Sequence, residues 1–188
     1  MHKFNFDPIK VGTLEVGWWK AHHIKNKGLM SELLIKQNVE LYGFTVQEAK
    51  IALKELVTGV NFHDTREWDK AIQATSLYFL KIKEKINLDF NPQEIAELEV
   101  GWWQLHDKLE NNPDKTELAE TFTTLYSKMF GIDRNKLKIA GKLKAEATKE
   151  HDLAEDLNTK DDEIEKHWNK AEELLINFYS ELKNNIKV

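Results

Sequence analysis

Leu14-Glu15-Val16-Gly17-Trp18-Trp19 recurs letter for letter as Leu98-Glu99-Val100-Gly101-Trp102-Trp103, 84 positions later. Three residues past each tryptophan pair stands a histidine, His22 and then His106, and Asp7-Pro8 and Asn91-Pro92 precede the two copies. Self-similarity of this kind marks a chain made of repeated units that bury a core only by packing on each other. The match runs on. Leu41–Phe44 aligns with Met129–Ile132, Lys50–Lys54 with Lys138–Lys142, and His63-Asp64 with His151-Asp152, all at a spacing of 88. The four added residues fit the Asn111-Asn112-Pro113-Asp114 turn. Trp68–Ala71 then aligns with Trp168–Ala171 at a spacing of 100, so twelve further, mostly polar residues lengthen a loop or a helix in the second copy. The expected organisation is a first repeat over 1–88 and a second over 89–188, packed together as one globular unit.

Local signals make both repeats helical. Asp7 and Asn91 read as N-caps with proline at the first helical position, and Glu94 adds a capping box. These start a helix over roughly 8–26 and again over 92–110. A second helix is expected over 29–43 and 115–130, closed by Gly43 and Gly131 as C-caps. Thr45 and Asp133 open a third, over 46–64 and 134–156, and a fourth covers 66–87 and 162–186. No window shows period-two alternation, so no strand is expected. The predicted class is all-α: an internally duplicated helical bundle of two three- or four-helix repeats about a pseudo-two-fold axis. Gly17 and Gly101, kept in both copies in mid-helix, are expected at close contacts with a neighbouring helix.

Composition bounds the function. Hydrophobic residues make up 41% and charged residues 31%, the balance of a soluble globular chain. Cysteine is absent, which excludes disulfides and thiolate chemistry. There is no apolar run of membrane-spanning length and no signal-peptide core at the N-terminus, so the expected compartment is the cytoplasm, with no membrane partner. The net charge is −5 with both signs interleaved, and the lack of a basic stripe argues against nucleic acid.

All six tryptophans fall in matched pairs: Trp18/Trp102, Trp19/Trp103 and Trp68/Trp168. So do His22/His106 and His63/His151. His2, His23 and His167 have no counterpart and are set aside as candidates for a duplicated role. Glu15 and His22 are seven apart, as are Glu99 and His106, which puts each pair within about 20° of one helix face and about 10 Å apart along the axis. The chemistry-bearing set is therefore Glu15, His22, Asp64, Glu99, His106 and Asp152 as metal ligands. His63 and His151 stand behind them or substitute for them, and the six tryptophans wall the pocket. Hard and borderline ligands of this kind suit iron, manganese or zinc, with oxidase or oxygenase chemistry if the iron is redox-active.

Four carboxylates and two imidazoles about a two-fold resemble the inventory of carboxylate-bridged dimetal bundles, which project Glu and His inward from facing helices. The resemblance lies in stoichiometry and symmetry, since a Glu-x-x-His motif is absent from matched positions. The Glu-x6-His spacing is also similar to the first ligand pair of haem-oxygenase-like di-iron oxidases, whose later His/Asp/His cluster this chain lacks. Each resemblance covers a few residues, and neither assigns a family.

Two other readings stand beside the metal. The repeated Glu and His can be structural, with Glu15 and Glu99 accepting from buried indole N–H groups. Alternatively, the chain is a non-catalytic binding protein whose Trp-lined grooves hold a small apolar ligand or a partner helix. Glu32 and Glu120, matched as well, are expected on the surface.

Overall fold

A computed structural model describes residues 5–110, 112–156 and 158–186. Among them are eight α-helices, one four-residue 3-10 turn and no strand. Each half carries four α-helices in the same order: α1 (Pro8–His23), α2 (Lys27–Tyr42), α3 (Val46–Asp64) and α4 (Trp68–Ile86), then α5 (Pro92–Leu109), α6 (Thr116–Phe130), α7 (Lys138–Glu155) and α8 (Asp161–Asn185). No helix among the described residues is long and apolar enough to cross a membrane.

The helix boundaries follow the local chemistry. The Asp7 side chain accepts from the Ile9 amide and Asn91 from the Gln93 amide, each at 3.0 Å, ahead of proline. Thr45 and Glu48 form a full capping box at the start of α3. Gly43 and Gly131 close α2 and α6 with φ of 69° and 63°, a left-handed conformation that glycine adopts without a side-chain clash. The third helix of the second half starts later than its capping signal implies. Asp133 caps a 3-10 turn over Arg134–Leu137, and α7 begins at Lys138. Glu94 pairs across with Lys128 on α6. The inserted polar residues of the second half are divided between the connection into α8 and the greater length of that helix.

Consecutive helices pack on one another, and α8 returns to close on α1. The first helix of each half thus lies on the last helix of the other, α1 on α8 and α5 on α4. Buried apolar clusters fill these seams: Val16, Trp19, Trp168, Ala171 and Leu175 in one, Phe79, Ile82, Ile95 and Ala96 in the other. Glu32 and Glu120 are surface groups paired with Lys36 and Arg134.

The mid-helix glycines behave differently from each other. A Cβ on Gly17 would stand 3.3 Å from Leu33 Cδ1, a close approach, but one on Gly101 would meet nothing within 4 Å. The expectation of a tight contact at Gly101 is therefore corrected: the residue opposite it in the alignment with Leu33 is Thr121, too short to reach. The tightest position is Gly141, where a Cβ would fall 2.0 Å from Thr123 Oγ1 and 2.5 Å from the Ala119 carbonyl oxygen; Gly59 and Gly12 are also close, at 2.3 and 2.8 Å from their nearest neighbours. Gly101→Ala should accordingly stabilise the fold by about 0.5–1 kcal/mol through helix propensity. Gly141→Ala should destabilise it by about 1–3 kcal/mol through overpacking. Thermal melts of the two variants moving in the same direction would refute this account.

Candidate functional site

The last turns of α5 and α7 bring His106, His151 and Asp152 together. The His106 Nε2 atom lies 2.8 Å from Asp152 Oδ1, and His151 Nδ1 lies 3.2 Å from the same oxygen. One ligand atom from each of the three residues falls within 4.8 Å of the others, the one such group of potential metal donors among the described residues. The other carboxylate oxygen, Oδ2, accepts from the Lys115 ammonium at 2.7 Å. Lys115 is itself buried and also donates to the carbonyls of Leu109 and Glu110, the last of α5. The connection between α5 and α6 carries this lysine back under the helix end, so that its charge both caps the carbonyls and fixes the carboxylate.

The His151 ring sits between two indoles. Its centroid is 5.0 Å from Trp19 of α1 and 5.6 Å from Trp168 of α8, both edge-on. Its second nitrogen, Nε2, is 3.3 Å from Glu155 Oε1. Beyond that oxygen lies His23 Nδ1, at 3.5 Å. Burial by itself would lower the His151 pKa, but the Asp152 and Glu155 carboxylates outweigh it and lift the imidazole to about 9. Burial likewise works to raise both acids, yet contact with His106, His151 and Lys115 holds Asp152 well below its ordinary value, and His151 holds Glu155 down. Cation and carboxylate thus alternate from Lys115 through Asp152 and His151 to Glu155.

The first half builds the same cage without the same cluster. His63 lies 5.2 Å from Trp68 and 5.6 Å from Trp103, centroid to centroid. Each caged histidine is therefore held between a tryptophan of its own half and one from the other. His22 and Asp64 are exposed, Asp64 reaching His63 only at 3.7 Å. The lysine aligned with Lys115 is Lys27, which starts α2 in solvent. Without the four inserted residues the chain turns directly from α1 into α2, and among the described residues no lysine or arginine pairs with Asp64.

Glu15 and Glu99 belong to a separate centre. Glu15 is 4% exposed and bonded to the Lys144 ammonium, the Tyr179 hydroxyl and, at 3.2 Å, Gln37 Nε2. Gln37 in turn accepts from the Trp18 indole at 2.9 Å. A lysine thus holds Glu15 where the metal reading puts an ion. Burial pushes the Glu99 carboxyl up to about 7, although hydrogen bonds from Trp102 and Trp103 and the charge of Lys144 pull the other way. The Trp18 indole N–H finds its acceptor in Gln37 and not in Glu15, where the structural reading puts it. Burial raises the phenols of Tyr42, Tyr78, Tyr126 and Tyr179; both acids add to this at Tyr42 and Tyr126, Glu99 at Tyr78 and Glu15 at Tyr179.

Of the sequence-derived candidates the structure brings together His106, His151 and Asp152, with Trp19, Trp102 and Trp168 against their rings. It places Glu15, His22, Asp64 and Glu99 elsewhere. Lys115, Glu155, His23 and Lys144 enter through the structure. Of these, His23 carried a sequence signal, standing beside the matched His22, but was set aside for lack of a counterpart. Two shallow surface hollows, between α3 and α4 and between α2 and α3, have no tryptophan in their lining. No protein-family model matches the chain, and no curated protein or solved structure matches it.

Proposed function

We propose that the chain is a metal-binding protein: a duplicated helical bundle, its two four-helix repeats related by a pseudo-two-fold, with a divalent ion held by His106, His151 and Asp152. The observation that carries this reading is the convergence of two imidazole nitrogens and one carboxylate oxygen within 4.8 Å. Two histidines and one carboxylate with positions left open is the donor set of non-haem iron(II) oxygenases, and zinc accepts the same donors. Iron is thus the first metal to test, with manganese and zinc beside it. The tryptophans exclude water from one side of the cluster, and Lys115 orients Asp152 so that Oδ1 faces the two imidazoles. An ion there takes the place of the His151 ring proton, so affinity rises with pH.

The competing reading is a lock without metal. Lys115 and a charged His151 already neutralise Asp152 and Glu155, and that network ties α5, α7 and α1 together. Titration calorimetry with iron(II), manganese(II) and zinc separates the two. The metal reading expects binding that is lost in His106→Ala and Asp152→Asn while helicity by circular dichroism persists. It also expects bound metal at 100 times its Kd to add about 2.7 kcal/mol of stability, removed by a chelator. No binding by any of the three ions, with melts indifferent to chelator, leaves the lock.

A further inference from the structure

The geometry points to a docking groove between α2 and α3 that takes an amphipathic helix of a partner protein, its apolar face on Ile35, Leu53 and Val57 and its carboxylates on Lys50 and Lys54. These five residues line the hollow between the two helices. None of them takes part in the His106–His151–Asp152 cluster, so docking there is independent of any metal.

The second half shows the same pair of helices closed. Gly141 of α7 lies against Ala119 and Thr123 of α6, at the close approach described above. Ala145 and Thr148, further along α7, are buried at 1% and 5% exposure, Ala145 in one cluster with Leu118 and Phe122. At a spacing of 88, the first half carries Leu53 for the glycine and Ser31 and Ile35 for Ala119 and Thr123. It carries Val57 and Val60 for Ala145 and Thr148. A leucine facing an isoleucine holds two helix axes further apart than a glycine facing a threonine. Accordingly α2 and α3 pack less closely than α6 and α7. Val57 and Val60 are left 45% and 39% exposed. Apolar side chains thus stand bare in the first half where the second half has smaller ones covered, and a bare apolar patch rimmed by polar groups marks an interaction site.

Two features choose the occupant. The apolar floor is recessed between two helices, with Leu53 only 7% exposed, so it suits side chains inserted from a helix and not a flat bilayer. Lys50 and Lys54, one turn apart on α3, stand exposed at the rim without an ion-pair partner among the described residues. A second copy presenting the same groove would set lysine against lysine. A helix with acids flanking its apolar stripe meets both lysines with the opposite charge.

The probe is a synthetic helical peptide with leucines at i, i+3, i+4 and i+7 flanked by glutamates. Its controls are a scrambled peptide of the same composition and a version with lysine for glutamate. Methyl NMR of the full chain should show the glutamate peptide shifting Ile35, Leu53, Val57 and Val60. Fluorescence anisotropy of the labelled peptide should give a Kd that weakens with salt. Lys50→Glu combined with Lys54→Glu should weaken binding by about tenfold and turn the preference to the lysine peptide. Ile35→Thr, Leu53→Gly and Val57→Ala together install the residues of the second half, and should close the groove and abolish binding. The two lysines are surface groups, so the charge-swapped variant keeps the test valid where the triple variant fails to fold. No binding of the glutamate peptide, equal binding of the scrambled one, or binding unaltered by the charge swap overturns the assignment. So does a free chain that dimerises through these methyls, which makes a second copy the occupant. Binding of phosphatidylserine vesicles through the same methyls, without the peptide, overturns it in favour of a membrane surface.

Discussion

Lys144→Met should lower the free energy of unfolding by about 3–5 kcal/mol, the cost of leaving a buried charge without its partner. Lys144 is 6% exposed and Glu15 4%, and the ammonium is the cation bonded to that carboxylate. Without it, Glu15 keeps Tyr179 and Gln37 as donors but shares the interior with Glu99 and no balancing charge. The second substitution should return much of the loss: Glu15→Leu combined with Lys144→Met replaces an ion pair by apolar groups, which is often close to neutral. Urea midpoints of the two single variants and the double variant give the coupling. A double variant as unstable as the sum of the singles would mean that the two residues do not act as a pair.

Glu99→Gln is expected to stabilise the protein at pH 8, by about 3 kcal/mol. Burial penalises the charged form and pushes the folded carboxyl up to about 7, from an ordinary glutamate value of 4.5. Between those values the native state holds a proton that the unfolded chain has released, so stability falls as pH rises through that window. The whole penalty, about 3 kcal/mol, is present above pH 7 and absent below 4.5. Glutamine keeps an acceptor for the Trp102 and Trp103 indoles and carries no charge to bury. Thermal melts from pH 4 to 9 should show the two proteins coinciding in acid and parting towards alkaline pH. Parallel curves across the whole range would put the Glu99 titration elsewhere.

The helices were legible because their signals are local. Asp7, Asn91, Thr45, Gly43 and Gly131 act on amides and carbonyls a few residues away, and a single sequence carries that information. The Trp–His cages were half legible. Repetition marked Trp19, Trp68, Trp103, Trp168, His63 and His151 as belonging together, but not that each cage draws its second indole from the opposite half. The polar centres were the least legible, and for one reason. Reading the repeats against each other rewards residues that are the same twice. Lys144 aligns with Leu56, His23 with Asp107, and Lys115 with a lysine that the shorter turn leaves in solvent. The Glu15–Lys144 bond spans 129 residues of chain, and nothing in the neighbourhood of either residue announces it. The two halves carry four helices each in the same order and differ in their charges, so residues such as Lys144 and His23 escape a reading that rewards identity.

The covering of α1 by α8 and of α4 by α5 makes each half the missing wall of the other. Cut between Asn87 and Asn91, the chain would yield two pieces with every helix intact and neither histidine enclosed. The amino-terminal piece would bare Val11, Val16 and Trp19; the carboxy-terminal piece would bare Ile95, Ala96 and Val100. Mixing the two fragments should restore both enclosures, since each carries the helix that covers the other. The quenching of indole fluorescence by a neighbouring imidazolium would record the moment they join.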